Sequence, residues 1–286
     1  MNDHESVGIV YTPWLSRAKP LAEELLGCLR GGAKLFSLNE LENEPSVLRG
    51  LRVLISVGGD GTILRVVKIA SPFAVPLIGV NVGRIGFMTE LAPSEAIARI
   101  NEYVEERESW IEKRTMLEAR VVSEEPRHEE DNYSYLGLNE VVIGRAAVAR
   151  LIHVSVDIDG HPLVTFTGDS VIVATATGSS GYNLSAGGPI LYPESPALLL
   201  KPVSPQLSLD SAIILHPDSM IDLRVRRGHP AKLTIDGSVD VDLAPGDSIR
   251  VKRSSHIAYF LRTGPHHHFP STLIKRLGSP SYENDS

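Results

Sequence analysis

The stretch Val57–Thr62, which reads VGGDGT, is the first part of the chain whose residues could do chemistry. It follows a β-branched run and precedes a helical pattern. Glycines on both sides of Asp60 let the backbone approach a ligand closely, and a helix N-terminus attracts anions. A tight turn capped by Asp60 or Thr62 is the structural alternative, but a cap needs fewer glycines. The spacing matches neither the P-loop nor the dinucleotide fingerprint, so it predicts a ligand loop without naming the ligand.

A second stretch, Gly168–Pro189, opens as a strand and continues as a run of small and hydroxylated residues around Tyr182. Such a segment offers backbone amides, hydroxyl donors and a ring on which a base can stack. A flexible glycine- and serine-rich linker is the alternative. A linker would not follow a buried strand and contain Tyr182 and Leu184, so we favour a binding segment.

The pair Asn139-Glu140 lies at the start of the apolar strand pattern Leu138–Ile143. An amide that donates and a carboxylate that accepts could hold a sugar diol. Polar residues at strand edges are commonly without such a role. The pair alone therefore leaves the functional and the ordinary interpretation equally open.

Four arginines lie near these segments, and one histidine cluster lies near the C-terminus. Any of the arginines could simply face solvent, although Arg65 falls one turn past the glycine loop, within reach of a phosphate there. The arginines are Arg65, Arg84, Arg145 and Arg150. Three adjacent histidines on a proline-flanked turn point in different directions, so for His266–His268 we expect no metal site.

The first hundred residues alternate between strand and helix patterns, which predicts a parallel sheet with helical crossovers. The strand patterns are Val7–Tyr11, Arg52–Val57 and Pro76–Val80, and the helix patterns are Lys19–Leu29, Thr62–Ala70 and Pro93–Glu106.

After about Ser109 the helix patterns nearly vanish, and short alternating segments separated by turn signals predict an all-β body, a sandwich or similar. The segments include Leu117–Val122, Leu138–Ile143, Ile152–Ile158, Val164–Phe166, Val171–Ala174, Ile221–Val225, Lys232–Ile235, Ile249–Val251 and Ile257–Phe260. The acidic stretch Glu124–Asn132 is predicted to be a loop, and Thr272–Leu277 a closing helix. We thus predict an α/β domain over residues 1–108 and an all-β domain over 109–270, with a helix near 271–278 that could return to the first.

Composition narrows the class of protein. Of 286 residues, 42% are hydrophobic and 22% charged, which suits a globular protein with a sizeable core. The net charge of −7 argues against a nucleic-acid partner held through its phosphates. The single cysteine, Cys28, excludes an internal disulfide and a Cys-based zinc site. No apolar run approaches the roughly 18–20 residues of a membrane span, and the first residues do not resemble a signal peptide. We therefore expect a cytoplasmic protein with no membrane partner.

Together these motifs resemble the NAD kinases, the family that phosphorylates the 2′-hydroxyl of the adenosine ribose of NAD to give NADP. The resemblance covers nearly the whole chain. Its specific parts are Gly58–Thr62, Gly79–Phe87, Asn139-Glu140 and Asp169–Pro189. Lipid kinases and phosphofructokinases share the glycine-Asp loop, so the long last stretch decides among the families.

The resemblance implies a dinucleotide bound between an α/β and an all-β domain, often in a homodimer or homotetramer. By the same resemblance, Asp60 takes the proton from the 2′-hydroxyl, and Gly58, Gly59 and Thr62 belong to the phosphate-donor loop. The implied NAD-binding residues are Gly61, Arg65, Asn139, Glu140, Arg150, Asp169, Thr177, Ser180, Gly181, Tyr182, Asn183, Leu184 and Ser185. No protein metal site is implied, because magnesium would arrive with the donor phosphates.

The chain departs from the family pattern at Ser170, at Ser180-Gly181 and at Ser238. The first two departures replace small residues by small residues, so they affect the detailed base contacts and not the reaction. The sequence leaves open whether ATP, another nucleotide or polyphosphate is the donor. The competing interpretations are a diacylglycerol-type lipid kinase and a non-catalytic dinucleotide-sensing module.

Overall fold

The computed structural model describes residues 6–83, 86, 88–105, 109–122, 134–147, 150–206, 209–226, 228–262, 269–270 and 273. The chain divides into two compact units. The α/β unit comprises the residues up to Lys113 and those from Ala258 onward, and the β unit comprises Arg114–Ile257.

In the α/β unit, helices connect parallel strands. The strands are β1 (Ser6–Tyr11), β2 (Ala33–Ser37), β3 (Leu51–Gly58) and β4 (Leu77–Asn81), and the helices are α1 (Ala18–Cys28), α2 (Leu38–Asn43), α3 (Asp60–Ala70) and α4 (Pro93–Val104). The strands lie in the order β2-β1-β3-β4, with every neighbouring pair parallel. From β1 the chain first adds β2 on one side of β1 and then adds β3 on the other side. The carboxyl edge between β1 and β3 is therefore a topological switch point, where open α/β sheets bind ligands.

Helices cover both faces of this sheet. Residues of α1 and α4 pack with Ile78 and Val80 of β4 in one hydrophobic cluster. Gly79 points to the other face, where a Cβ would press against Ile63 of α3. Alternate residues of a strand face opposite sides. Because both faces of the sheet are covered, β3 and β4 are runs of buried residues. Since α3 follows β3 directly, the first residues of α3 lie at the carboxyl edge of the sheet.

The β unit is built from antiparallel strands. They are β5 (Trp110–Val122), β6 (Ser134–Gly137), β7 (Glu140–Arg145), β8 (Ile152–Ile158), β9 (His161–Gly168), β10 (Ser170–Ala174), β11 (Leu198–Val203), β12 (Ile213–Leu215), β13 (Ile221–Val225), β14 (Ala231–Ile235), β15 (Val239–Leu243) and β16 (Ser248–Arg262). One sheet has the order β12-β11-β10-β7-β14-β15, and another runs β9-β8-β13-β16 with β5 and β6 beside it. The last residues of β16 belong to the α/β unit, where Phe260 pairs in parallel with Leu77 of β4.

The larger hydrophobic core of the β unit lies between its two sheets. In β13 and β14 every second residue is buried, as the alternating pattern predicts. Residues of both sheets, among them Val141, Phe166 and Leu223, join one buried cluster. The only α-helix among the described residues of this unit is the short α5 (Tyr182–Ser185), which follows a 3-10 turn at Gly178–Ser180. The predicted fold class, an α/β domain with a parallel sheet plus an all-β domain, is confirmed.

Several local predictions differ from the structure or lie outside it. Leu138 and Asn139 form a turn, and strand β7 begins only at Glu140. The predicted loop Glu124–Asn132 lies outside the described residues, as does the predicted closing helix Thr272–Leu277 except for Leu273, which is helical. Among the described residues, no helix has both the length and the apolarity that crossing a membrane requires.

Candidate active site

The glycine loop connects β3 directly to α3. Gly59 is the N-cap of α3, and its carbonyl accepts from the N–H groups of Thr62 at 3.0 Å and Ile63 at 3.1 Å. No side chain caps the helix, so Asp60 or Thr62 as N-cap, the structural alternative, is not observed. A Cβ at Gly58 would collide with the Thr62 side chain, whereas a Cβ at Gly59 or Gly61 would meet nothing within 4 Å. Packing against Thr62 thus explains why residue 58 is a glycine. At Gly59 and Gly61 the space beside the backbone is open.

The Asp60 carboxylate rests against the segment after β4. The N–H of Met88 donates to Asp60 Oδ1 at 3.0 Å, and a Cβ at Gly86 would overlap the carboxylate. Gly86 is itself fixed, because its N–H donates to Thr89 Oγ1 at 3.0 Å. Asp60 remains partly accessible to solvent. The segment holds the carboxylate in one place without burying it.

A buried ion cluster anchors the same segment. Arg262, 3% exposed, donates from Nη1 to the Met88 carbonyl at 3.2 Å and to Glu90 at 2.8 Å. Its Nε donates to Glu112, 6% exposed, at 2.6 Å. Arg262 therefore grips the carbonyl of Met88, the residue whose N–H holds Asp60. The sequence does not reveal this cluster, because its members lie far apart in the chain and carry no motif.

Arg65 projects from α3 one turn past the glycine loop, as predicted. Its Nε donates to Glu42 Oε1 at 2.9 Å, its Nη2 lies 2.6 Å from the same oxygen, and its guanidinium lies 4.4 Å from the centre of the Trp14 ring. These contacts fix the side chain against α2 and the turn after β1. A contact of Arg65 with a ligand stays a prediction.

In the β unit, Asp236 organises the turn that carries Asn139 and Glu140. Its carboxylate accepts three backbone N–H groups, from Leu138 at 2.9 Å, Asn139 at 2.8 Å and Glu140 at 3.1 Å. Asp236 has φ +49° in the hairpin between β14 and β15. In the sequence, Asp236-Gly237 has only the form of a turn signal. Asp236 forms the hairpin turn and also shapes the segment that carries Asn139 and Glu140. A turn signal in the sequence does not reveal this second role.

Glu140 is partly buried, and its carboxyl has a shifted pKa. Burial, together with the charge of Asp236, raises the pKa of the Glu140 carboxyl from 4.5 to about 7. Its Oε2 is buried and has no hydrogen-bond partner among the described residues. A Cβ added to Gly181 would lie 3.4 Å from that oxygen. A buried acceptor without a donor costs free energy, so this oxygen is suited to a donor brought by a ligand.

The long stretch after β10 packs against the Asn139-Glu140 turn. Thr175 donates from Oγ1 to the Leu138 carbonyl at 2.6 Å and from its N–H to the Asn139 carbonyl at 2.9 Å. A Cβ at Gly178 would collide with the Asn139 backbone. The structure therefore brings together two segments that the sequence analysis selected independently.

Asn183 holds the end of this stretch in shape. It is fully buried, and its Nδ2 donates to the carbonyls of Ser179 and Pro189, both at 2.9 Å. A Cβ at Gly188 would overlap the Asn183 amide. Asn183 thus has a structural role, and its predicted contact with NAD stays a prediction.

Other predicted residues of this stretch are Ser180 and Ser185, which bond locally, and Thr177 and Leu184. Ser180 Oγ donates to the Thr177 carbonyl at 3.3 Å, and Ser185 Oγ to the Gly181 carbonyl at 3.5 Å. Thr177 Oγ1 is buried with no partner among the described residues, and Leu184 is half-buried.

Tyr182 presents its ring at the surface of the same stretch. The side chain is 41% exposed, and its hydroxyl lies 3.3 Å from Ser170 Oγ. Ser170, one of the departures from the family pattern, thus helps to orient the ring. Ser238, another departure, donates from Oγ to the Ile235 carbonyl at 3.2 Å.

Asp169 and Arg150 complete the predicted set. Asp169 Oδ1 lies 3.2 Å from Nη1 of Arg145, an ion pair that the sequence analysis did not foresee. Arg150 is exposed just before β8. Arg84 and His266–His268 lie outside the described residues. In the part of the chain that the structure describes, no group of three or more His, Cys, Asp or Glu side chains could hold a metal ion.

Comparisons with known proteins agree with this architecture. The chain matches the family models of the ATP-NAD kinase N-terminal domain over residues 18–108 and of the ATP-NAD kinase C-terminal domain over residues 138–263. It is 37% identical over 283 residues to a protein named NAD kinase from Dehalococcoides mccartyi, with 96% of each chain covered. It is 35% identical over 276 residues to a protein named NAD kinase from Chloroflexus aggregans, with 96% of this chain and 98% of the relative covered.

Two solved structures share the fold. An NAD kinase from Archaeoglobus fulgidus in complex with ATP has a TM-score of 0.73 at 26% identity and covers 96% of this chain and 100% of its own. Yeast NADH kinase complexed with NADH has a TM-score of 0.83 at 24% identity, with 100% of this chain and 91% of that one covered. The family models and the relatives together show that the chain belongs to the NAD kinase family.

Proposed function

We propose that the chain transfers the terminal phosphoryl group of ATP to the 2′-hydroxyl of the adenosine ribose of NAD, giving NADP and ADP. The observation that carries this proposal is the Asp60 carboxylate, held by Met88 at an open glycine loop in a chain of the NAD kinase family. In the transfer the ribose oxygen attacks the terminal phosphorus, the bond to the bridging oxygen of ADP breaks, and the hydroxyl proton passes to Asp60.

Asp60 would act as the general base. A ribose hydroxyl is a weak nucleophile at neutral pH, so a carboxylate within hydrogen-bond reach is the expected device. Phosphoryl transfer otherwise depends on positioning and on stabilising charge. The Met88 N–H and the close approach of Gly86 supply the positioning of Asp60.

The donor phosphates would lie on the loop of Gly58, Gly59, Gly61 and Thr62. Open backbone at Gly59 and Gly61 lies at the N-terminus of the eleven-residue helix α3, which favours negative charge. Magnesium would enter with the donor, since Mg²⁺ is commonly bound by one or two carboxylates together with substrate phosphates. The single carboxylate of Asp60 at this loop fits such a donor-borne ion, which neutralises phosphate charge when bound.

Recognition of NAD would fall mainly to the β unit. The buried Glu140 Oε2 would accept a hydrogen bond from a ribose hydroxyl, Asn139 would donate beside it, and the exposed Tyr182 ring would contact a base. The remaining predicted NAD contacts would come from Gly61, Arg65, Arg150, Asp169, Thr177, Ser180, Gly181, Asn183, Leu184 and Ser185. Asp60, Gly61 and Arg65 belong to the α/β unit and the other named residues to the β unit, and the proposal assigns both groups to one reaction. By resemblance we also propose a homodimer or homotetramer that works in the cytoplasm.

A coupled assay of NADP formation tests the proposal. The purified chain receives Mg²⁺ with ATP, a second nucleoside triphosphate or polyphosphate as donor, and NAD, NADH or diacylglycerol as acceptor. We expect NADP from NAD and no phosphorylated lipid. Lipid turnover with untouched NAD would support the lipid kinase interpretation, and NAD binding without turnover would support a sensing module. The family models and the relatives named NAD kinase do not favour either alternative.

A further inference from the structure

Trp14 is a feature of the α/β unit to which the proposed reaction assigns no role. It lies in the turn after β1 and is 59% exposed, the highest value among the large hydrophobic side chains in the described ranges. Exposure alone carries little, since single apolar side chains are common on protein surfaces. Trp14 differs from such side chains in the contacts that fix its ring.

Arg65 and Glu42 fix the orientation of the Trp14 ring. The Arg65 guanidinium lies 4.4 Å from the ring centre, a favourable cation–π distance. Glu42 in turn holds the guanidinium through Nε at 2.9 Å and Nη2 at 2.6 Å. With the guanidinium over one face and more than half of the side chain exposed, solvent reaches the opposite face. The result is an oriented aromatic surface that is open on one side.

This surface lies at the ligand-binding edge of the parallel sheet. Trp14 follows β1, Glu42 lies on α2 after β2, and Arg65 lies on α3 after β3, so all three come from the carboxyl ends of neighbouring strands. The N–H of Thr12 also donates to the Val57 carbonyl at 3.3 Å, which ties the turn after β1 to the residue before the glycine loop. Ligands of open α/β sheets bind at this edge, at the switch point between β1 and β3.

We propose that Trp14 stacks the base of a nucleoside triphosphate donor whose phosphates lie on the loop Gly59–Gly61. This inference rests on the proposed function and adds to it the residue that recognises the base of the donor. A stacking surface strengthens the binding of a donor that has a base and does not strengthen the binding of polyphosphate. Every nucleobase has an aromatic face, so Trp14 selects nucleotides as a class and does not choose adenine over guanine.

The spacing along α3 suits this arrangement. Arg65 lies four residues after Gly61, about one helical turn, or roughly 5.4 Å along the axis. Trp14 packs on Arg65, so its ring lies beside the helical turn that follows the glycine loop, and we assign the ribose and phosphates of the donor to the interval between ring and loop. Arg65 backs the ring from one side, and the base occupies the other.

Calorimetric titration of the full chain tests the proposal. The main comparison is between ATP and inorganic tripolyphosphate, each with Mg²⁺, because tripolyphosphate carries the phosphates without the base; GTP and NAD are titrated as well. We expect Trp14→Ala to weaken ATP binding about tenfold and to leave tripolyphosphate binding within about twofold. Trp14→Phe keeps a ring and should retain most of the ATP affinity. GTP should lose affinity in Trp14→Ala by a factor similar to that of ATP.

Leu15→Ala is the matched control, since Leu15 is the neighbouring side chain and is 44% exposed. It should change neither ATP nor tripolyphosphate binding. Unchanged ATP affinity in Trp14→Ala, or an equal loss for both ligands, would overturn the stacking role. A loss confined to NAD would also overturn it, because the ring would then serve the acceptor. Failure of the proposed function is separate: it would appear as absent NADP formation by the unmodified chain, whatever the titrations give.

Discussion

The two candidate carboxylates, Asp60 in the α/β unit and Glu140 in the β unit, are held in opposite ways. Asp60 remains partly accessible and accepts a backbone N–H from Met88 at 3.0 Å. Glu140 has a buried oxygen with no donor among the described residues, beside a second carboxylate, Asp236. The backbone N–H of Met88 thus donates to Asp60, whereas the backbone N–H groups around Glu140 donate to Asp236 and not to Glu140.

This difference matches the two kinds of work we propose. A general base must be ionised and must keep its place while a proton arrives, so fixed donors and access to solvent suit Asp60. A binding group gains most when the ligand supplies the hydrogen bond that the free protein lacks. The arrangement at Glu140 costs stability in the free protein, and the bound dinucleotide would recover that cost.

Substitution of Asp60 should have the largest effect on the reaction. Asp60→Asn keeps the shape of the side chain and removes the proton acceptor, so kcat should fall by about 10²–10⁴-fold while NAD affinity changes little. Steady-state assays of NADP formation and calorimetry with NAD give the two quantities. Asp242→Asn, on a side chain that is 85% exposed, is the control and should leave both unchanged. A rate close to that of the unmodified chain would remove Asp60 from the mechanism.

Loosening the anchor of Asp60 should have the next largest effect. Arg262→Lys keeps a positive charge between Glu90 and Glu112 but lacks the guanidinium fork that also reaches the Met88 carbonyl. We expect kcat to fall about tenfold with KM for NAD and for ATP within about twofold. A purely structural role would lower the folded fraction without this split between kcat and KM.

Arg250→Lys is the control for this prediction. Arg250 makes a two-point contact with Asp222 at 2.8 and 3.3 Å, but its side chain is 49% exposed. The same chemical change at an exposed ion pair should therefore leave kcat unaltered. An equal change in both variants, or a rise in KM alone for Arg262→Lys, would contradict the anchoring role of Arg262.

The sequence predicted those features that local residue patterns encode. The alternation of strand and helix, the change to short strands after Ser109 and the glycine loop before a helix all appear in the structure. Each depends on hydrophobic periodicity or on glycine near a turn, which neighbouring residues reveal. The packing of the long stretch after β10 against Asn139 confirms only that these segments meet, and the assigned contacts with NAD stay predictions.

Other parts of the site depend on pairings across the chain that no local pattern shows. Arg262 reaches Met88 and Glu112 across 174 and 150 residues, and Asp236 reaches Leu138 across 98. In the sequence, Asp236-Gly237 has the form of a hairpin turn, and Arg262 is one of many basic residues. Only the strand pairing of β7 with β14 brings Asp236 to the Asn139-Glu140 turn.

At Glu140, the comparison predicts a loss of binding with a gain in stability. Glu140→Gln keeps the volume but replaces an acceptor-only group by an amide, so NAD affinity should fall about tenfold, as calorimetry would show. The free energy of unfolding should rise at pH 8, because the variant no longer buries a charge beside Asp236. Weaker NAD binding together with lower stability at pH 8 would contradict the electrostatic account of this turn.

The sign of the pH dependence follows from the pKa of Glu140, raised from 4.5 to about 7 in the folded protein. Between these pH values the folded state binds more protons than the unfolded state, so stability falls as pH rises through this window. Urea denaturation should show Glu140→Gln more stable than the unmodified chain by roughly 2–3 kcal/mol at pH 8, with a smaller gain at pH 5. Glu23→Gln, on a side chain that is 55% exposed, is the control and should show no such pH-dependent gain.

Tyr182 should show the smallest effect and the sharpest contrast between two substitutions. Its ring is 41% exposed, and its hydroxyl makes one contact, 3.3 Å from Ser170 Oγ. If the ring stacks on a base of NAD, Tyr182→Ala should raise the Kd for NAD about tenfold, because base–aromatic stacking contributes about 1–3 kcal/mol. Tyr182→Phe keeps the ring and loses only a partly exposed hydrogen bond, so its Kd should rise by less than about threefold. Both variants should keep kcat at saturating NAD, since the ring binds and does no chemistry. An equal loss of NAD affinity in both variants would assign the contribution of Tyr182 to its hydroxyl. Unchanged affinity in Tyr182→Ala would mean that Glu140 and Asn139 hold the dinucleotide without the ring.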